Sequence, residues 1–361
     1  IWPDEAFFMD QIVHPISFSY SVPKWLDQLF FRLSLIVLGG LIVWMILQVK
    51  SHTALALSIT SPIYLYTIAI TSFQLTRLAS AMLYTRTKKS LKKNYEGDLN
   101  YEPTITIVIP YLNEQDAIAN TISKCFESDY PAHKIEVIAV NDGSTDNSVQ
   151  IIKKLQQKYD RLVLAGWKEN RGKRHGMAAG FKLATGEIVV QLDSDSYIDP
   201  TTIKSLIQPF ANPEIGAICA HADPQNADTN WLTRMQAAYY FMSFRILKAA
   251  ESTFTTVFCC SGCSSAYRKS IVLPIIDKWL GEKFLGRPVT WGDDRALTNW
   301  VIRQGYLTIY SNDAQAYTIC PDTFKKFLKQ QIRWKKGWFV NSVFASKFII
   351  KKDPFVAFTY F

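Results

Sequence analysis

The sequence predicts an α/β domain on a mainly parallel sheet flanked by helices, with N-terminal transmembrane helices ahead of it and amphipathic interfacial helices beside it. Three observations carry this. Short, β-branched apolar runs alternate with helical stretches: TITIVIP (Thr104 to Pro110), IEVIAVND (Ile135 to Asp142) and EIVVQLDSD (Glu187 to Asp195). Strands alternating with helices imply right-handed crossovers and parallel pairing. Acids or amides stand at or just past the end of each run, and two uncharged apolar segments precede the first. A net charge of +9, 48% hydrophobic residues and 361 positions suit a mixture of membrane and water-facing parts in two to three domains.

In chain order, Leu33 to Val49 (LSLIVLGGLIVWMILQV) carries no charge and has the length a bilayer core requires. Ala54 to Leu75 is also uncharged but contains several Ser, Thr and Tyr residues. Two membrane helices are expected, at about 30–49 and 54–83. The basic run R-T-K-K-S-L-K-K, Arg86 to Lys93, follows them. The positive-inside rule puts it on the cytoplasmic side, where it suits anionic headgroups better than nucleic acid. Residues 1–94 therefore form a membrane region, 95–320 a cytoplasmic domain, and 321–361 an interfacial helix with the start of another membrane segment. Helices are expected over Glu114 to Ser128 and Asn147 to Tyr159. Trp231 to Lys248 and Phe324 to Val343 mix aromatics with Arg and Lys. Helices of that composition lie in the headgroup plane or pack on their own domain. The chain starts at Ile1 and stops inside the apolar run Pro354 to Phe361, so further membrane segments are expected beyond it. The six cysteines include one C-x-x-C, Cys260 to Cys263, which reads as buried thiols of a reducing compartment rather than a metal site.

Ligands of such sheets bind outside the carboxyl ends of the strands. Asn113-Glu114, Asp142 and Asp193-x-Asp195 stand there. No G-x-G-x-x-G or Walker loop is present, so neither a dinucleotide nor a P-loop site is supported. Acids at i and i+2 point the same way and can share a hard divalent cation with a diphosphate. A calcium loop fails, because Ile198 and Lys204 occupy the positions that need Gly and Glu, and Lys153 fails likewise in the stretch from Asp142. NDGSTD around Asp142 reads as a capped turn or as an acceptor for a ribose or base edge. In R-G-K-R-H-G, Arg171 to Gly176, Lys173 and Arg174 stand on a glycine-flanked turn, placed to neutralise phosphate or simply solvated. W-G-D-D-R-A-L-T-N, Trp291 to Asn299, adds two adjacent carboxylates.

Asn113-Glu114, NDGSTD, RGKR, LDSDS, GDDR and QQIRW (Gln330 to Trp334) occur in an order that resembles membrane-embedded, processive family 2 glycosyltransferases of the GT-A fold. GDDRALTN followed by QQIRW is most similar to the hyaluronan synthase and chitin-oligosaccharide synthase branch, from about Thr104 to Trp338. The resemblance implies inverting transfer from UDP-sugars to a growing β-linked polysaccharide at the cytoplasmic face of the cell membrane, with export through a channel. Asp142 would contact the uridine, beside Pro110, Tyr111 and Glu114 of the first motif. Asp195, helped by Asp193, would hold Mg²⁺ or Mn²⁺, and Lys173 and Arg174 would meet the phosphates. Asp294 would be the general base, with Asp293 and Arg295 shaping its surroundings. Gln330, Arg333 and Trp334 would flank the nucleotide and the acceptor sugar, and Ser261, Gly262 and Cys263 would shape the acceptor side.

Chemistry agrees with those roles. UDP leaves only when its charge is balanced, and inversion needs one base on the acceptor side, for which a carboxylate suffices. Two departures stand out. The family's P-x-Y-N-E is here P-Y-L-N-E, with the aromatic one place earlier, and its G-G-P-L-x-x-Y-R is S-G-C-S-S-A-Y-R, Ser261 to Arg268. A hyaluronan-type enzyme would use both UDP-GlcNAc and UDP-GlcA; the alternative is a chitin-type or other β-glucan synthase using one UDP-sugar. An inactive scaffold subunit would have lost its acids, and all are present. Nucleic-acid binding is disfavoured, since the basic residues cluster beside membrane segments.

Overall fold

The computed structural model describes residues 62–93, 101–352 and 356–357, with scattered helical positions between 29 and 48. The chain divides into compact units at 1–72 and 73–361. Helix α1 (Pro62–Met82) is followed by the basic α2 (Tyr84–Lys93). Among the described residues no helix is long and apolar enough to cross a membrane. α1 contains several Thr and Ser residues, Gln74 and Arg77, and hydroxyls such as that of Thr71 bond back to the preceding turn. Nine of the twenty positions of the expected span at 30–49, and residues 54–61 of the second, lie outside the described residues.

The second unit is built on an eight-stranded sheet. Its strands are β1 (Ile105–Tyr111), β2 (Ile135–Asp142), β3 (Leu162–Trp167), β4 (Ile188–Gln191), β5 (Tyr197–Ile198), β6 (Ile215–Pro224), β7 (Ser265–Arg268) and β10 (Leu307–Thr318), ordered β3-β2-β1-β4-β7-β6-β10-β5. β8 (Lys283–Phe284) and β9 (Arg287–Pro288) form a separate hairpin. β3, β2, β1 and β4 are parallel, as are β6 and β10. The sheet is nevertheless mixed: β7 runs antiparallel to both neighbours, and β5 antiparallel to β10. That reversal matters for the site. Ser265, the first residue of β7, pairs with Gln191, the last of β4, so the turn before β7 meets the carboxyl end of β4.

Every residue of β1 is buried, which is why its apolar run is continuous rather than alternating. Its odd-numbered side chains pack with α3 (Ile118–Phe126) on one face, where α4 (Ser148–Gln156) and α6 (Thr202–Ile207) also lie. Val108 faces the opposite layer, formed by α5 (Lys173–Leu183), Trp279 and α8 (Asp293–Arg303). Two glycines let α5 lie close on β1: a Cβ at Gly180 would stand 2.2 Å from Val108 Cγ1, and one at Gly176 would stand 2.9 Å from Pro110 Cβ.

α7 (Trp231–Phe241) starts at an Asn230 capping box and runs on as a π-helix through Met242–Lys248. One side, including Leu232 and Tyr240, packs on the domain, while Trp231, Tyr239 and Phe241 are exposed. α9 (Phe324–Ser346) is the other expected amphipathic helix, and it packs against α8.

Candidate active site

The carboxyl ends of β1, β2 and β4 bring the first acids together. Past β1, Asn113 adopts a left-handed conformation and its Oδ1 accepts from the Thr145 amide at 2.8 Å. Ser144 and Ser148 hydroxyls accept from the amides of Asn113 and Glu114 at 3.0 and 2.9 Å, so N-E and NDGSTD are latched together. Asp142 is 3% exposed. Its carboxylate accepts from Trp167 Nε1 at 2.8 Å, the Arg171 amide at 2.8 Å and the Gly172 amide at 2.9 Å. A carboxylate has about four acceptor positions, so one is left for the nucleotide expected there. Its main structural role is to hold the Arg171–Gly172 loop.

That loop ends in a helix rather than a solvated turn. Gly172, at φ 97°, caps α5 and makes Lys173 its first residue. Lys173 Nζ lies 2.6 Å from Asp193 Oδ1. Burial would lower its pKa, but Asp193 and Asp294 more than offset this and raise it. Arg174 points the other way. It is buried, pairs with Asp293 at 2.8 Å and Glu282 at 3.0 Å, and is not placed on the phosphate side with Lys173, which corrects the expectation for it.

Tyr111 is a second correction. The strand alternation turns it into the β1 core, 2% exposed, and its hydroxyl has no hydrogen-bond partner among the described residues. Leu112, 37% exposed, takes the outward position. Moving an aromatic by one place along a strand moves it to the other face. Pro110 lies under Gly176.

Gly262 joins the two acid motifs. Its amide donates to Asp294 Oδ2 at 3.0 Å, and its carbonyl accepts from the Asp193 amide at 2.9 Å. Gln191 Nε2 donates to Asp294 Oδ1 at 2.8 Å. Both oxygens of Asp294 are thus oriented by fixed donors, and each keeps a free lone pair. Asp293 and Asp294 occupy the first turn of α8, where the helix dipole favours anions, and Arg295 follows them, half-buried. Ser261 Oγ lies 3.4 Å from Cys219 Sγ. Burial raises the Cys263 pKa, with Asp193 and Asp195 adding to it, and all six cysteines are free thiols.

The remaining motif reaches the site through two glycines. A Cβ on Gly337 would sit 2.8 Å from Gly292 Cα, and Asn341 Nδ2 donates to both carbonyls, at 3.2 Å for Gly292 and 2.9 Å for Gly337. α9 therefore lies directly on the GDD turn. Trp334 packs on the α8 side of the core, while Gln330 and Arg333 line a groove of about 670 Å³ with Trp291, Leu328 and several lysines.

Asp193 and Asp195 have the donor chemistry for a hard divalent cation. Burial and the neighbouring Asp193 push Asp195 up to about 6, and burial with Asp195 pushes Glu114 up to about 7. Three acids facing one paired lysine leave negative charge to balance. Among the described residues no three His, Cys, Asp or Glu side chains could hold an ion by themselves. Mg²⁺ commonly takes one or two carboxylates and completes its shell with phosphate and water, so the set fits.

Gln191, Gly262's bridging contacts, Glu282, Trp279 and Asn341 were not marked by sequence reasoning for these roles. Gln191 alone left a signal, a polar residue closing an apolar strand.

Comparison with known proteins agrees with the fold. The family model "Glycosyl transferase family 2" matches residues 106–273. A hyaluronan synthase of Streptococcus pyogenes serotype M3 is 30% identical over 304 residues, covering 82% of this chain and 70% of that protein. An N-acetylglucosaminyltransferase of Rhizobium meliloti is 30% identical over 258 residues, 71% of this chain and 60% of that protein. A mannosyltransferase of Pyrobaculum calidifontis, solved with GDP-Man and Mn²⁺, superposes with a TM-score of 0.57 at 24% identity, over 78% of this chain and 75% of that one. The likeness shows a GT-A-like fold. The chain belongs to glycosyltransferase family 2, and it is a glycosyltransferase.

Proposed function

We propose that this chain transfers sugars from UDP-sugars to the hydroxyl of a growing β-linked polysaccharide, with inversion and in a processive manner. The observation that carries the reading is the bridge at Gly262, which joins the Lys173–Asp193 pair to Asp294. A donor diphosphate and an acceptor hydroxyl would then be handled side by side.

Lys173 binds the diphosphate, exchanging Asp193 for a phosphate oxygen. Asp193 and Asp195 would hold a divalent cation, which when bound balances charge on the departing UDP. Asp294 takes the acceptor proton as the hydroxyl oxygen bonds to the anomeric carbon and the bond to phosphate breaks. Gln191 and Gly262 keep both carboxylate oxygens aimed during that step. Trp334 offers a flat apolar face to a sugar ring, and Gln330 and Arg333 flank it. Ser261 and Cys263 border the acceptor.

The relatives named hyaluronan synthase favour paired UDP-GlcNAc and UDP-GlcA, whereas the N-acetylglucosaminyltransferase relatives favour a single UDP-sugar. Action at the cytoplasmic face of a membrane, with export of the product, is supported by the apolar residues left exposed on α1 (Leu65, Tyr66, Ile70 and Leu78) and by the basic α2 that follows α1 in the chain.

Membrane-reconstituted protein with Mn²⁺ or Mg²⁺, given single and paired UDP-sugars, tests the reading by UDP release and product mass. A strict need for both sugars supports the hyaluronan type; turnover with UDP-GlcNAc alone supports the chitin type. Asp294→Asn should lower the rate about 10²–10⁴-fold, the usual worth of a general base. Full elongation by that variant would sink the assignment of the base.

A further inference from the structure

Arg174 is 4% exposed, yet it touches three groups around the base and none of the phosphate-side acids. Its Nε donates to Asp293 Oδ1 at 2.8 Å, and its Nη1 donates to Glu282 Oε2 at 3.0 Å and to the Trp279 carbonyl at 2.9 Å. The guanidinium carbon lies 4.9 Å from the centre of the Trp279 ring. Trp279 Nε1 in turn donates to the Asp293 carbonyl at 3.3 Å, and Trp300 Nε1 donates to Glu282 Oε1 at 2.7 Å. Asp293 is thus gripped at its side chain and at its own carbonyl, the group that leads directly into Asp294.

We propose that Arg174 and Glu282 are a positioning pair for the general base. This rests on the reading of Asp294 as that base. With Asp293 fixed from behind, the peptide that follows it is fixed, and Asp294 is presented to Gln191 and Gly262 on the acceptor side. The fork of a guanidinium is needed, because it reaches two carboxylates and a carbonyl from one planar group. A lysine would keep the charge and lose the fork. Stability is a poor account of the cluster: a buried ion pair seldom adds net stability, and Nη2 is buried with no hydrogen-bond partner among the described residues. Glu282 also opens the β8–β9 hairpin, whose Phe284 ring meets Phe339 of α9 edge-on at 6.2 Å. The pair therefore joins the hairpin to the base.

Arg174→Lys, Glu282→Gln, the double variant and Asp294→Asn, each reconstituted in membranes, decide the matter. Thermal melting checks the fold, calorimetry with UDP and Mn²⁺ reads donor-side binding, and kinetics separates kcat from KM. Arg174→Lys should lower kcat on the order of 10²-fold, as a base misplaced by about 1 Å does. UDP affinity and donor KM should stay within about twofold, because Lys173 is untouched. Glu282→Gln should lower kcat less, and the double variant should lose less than the product of the two singles, since contacting residues couple. UDP affinity falling in step with kcat would make Arg174 a phosphate ligand and overturn the proposal. Unchanged kcat in both single variants would also overturn it, and if Arg174→Lys does not fold, Glu282→Gln decides alone. An active Asp294→Asn would instead sink the base assignment on which the proposal rests.

Discussion

Replacing Gly262 by alanine should separate activity from stability. The residue has no positive φ, so its backbone accepts a side chain. The added Cβ would lie 2.6 Å from Asp193 Oδ1 and 2.8 Å from Lys173 Nζ. Ordinary contact begins near 3.4 Å, so the carboxylate must retreat by about 0.8 Å. Both crowded atoms are the ends of side chains that can move, so the fold is little affected. Loss of unfolded-state freedom on Gly→Ala contributes about 0.4–1 kcal/mol in the opposite direction. The melting temperature should stay within about 2 °C. The Lys173–Asp193 ion pair, proposed to meet the diphosphate, is displaced, however, and a shift near 1 Å at a reacting centre costs roughly 10²-fold. UDP release by the reconstituted variant, with calorimetric titration of UDP and Mn²⁺, reads both effects. Wild-type turnover and affinity in Gly262→Ala, or a collapse of the melting temperature, would refute the reasoning.

Gly337→Ala should behave in the opposite way. Its Cβ meets the Gly292 backbone, which cannot step aside, so about 1–3 kcal/mol of stability should be lost in thermal unfolding; an unchanged melting temperature would contradict the contact. Asp142→Asn turns one acceptor oxygen into a donor facing a backbone N–H, which should cost about 1–3 kcal/mol and raise the donor KM as the Arg171–Gly172 loop loosens. An unaltered KM would argue against that loop carrying donor binding. Hydrogen bonding from His221 holds the Asp223 carboxyl below its usual range. A depressed folded value contributes stability that is present above the unfolded value, near 3.9, and is lost as pH falls through the folded one. Asp223→Asn should therefore melt lower at neutral pH and converge with the parent in acid; a constant gap would count against it.

The parallel half of the sheet was legible because β1, β2 and β4 are buried on both faces and read as unbroken apolar runs. The acids past them stand at the carboxyl ends of such strands, where ligands of parallel sheets are expected to bind. Tyr111 was misplaced because which face it joins depends on strand register, which a motif does not encode. RGKR read as a turn because the left-handed Gly172 that converts it into a helix start is visible only in the fold. Arg174 and Asp293 stand 119 positions apart, and no local pattern announces that they touch. The antiparallel β7 was equally hidden, although it delivers Gly262 to both acid motifs.

The meeting of Gly292 and Gly337 has a consequence for anyone wishing to change what this enzyme makes. Two backbones in contact without side chains between them leave nothing that can be repacked. The helix carrying Gln330, Arg333 and Trp334 cannot be exchanged for a homologue's while Trp291 to Asn299 stays behind. A chimaera that moves both segments together, with Asn341 to tie them, preserves the seating of that helix on the turn that carries Asp293 and Asp294. One that moves either segment alone inherits two halves cut to different gauges.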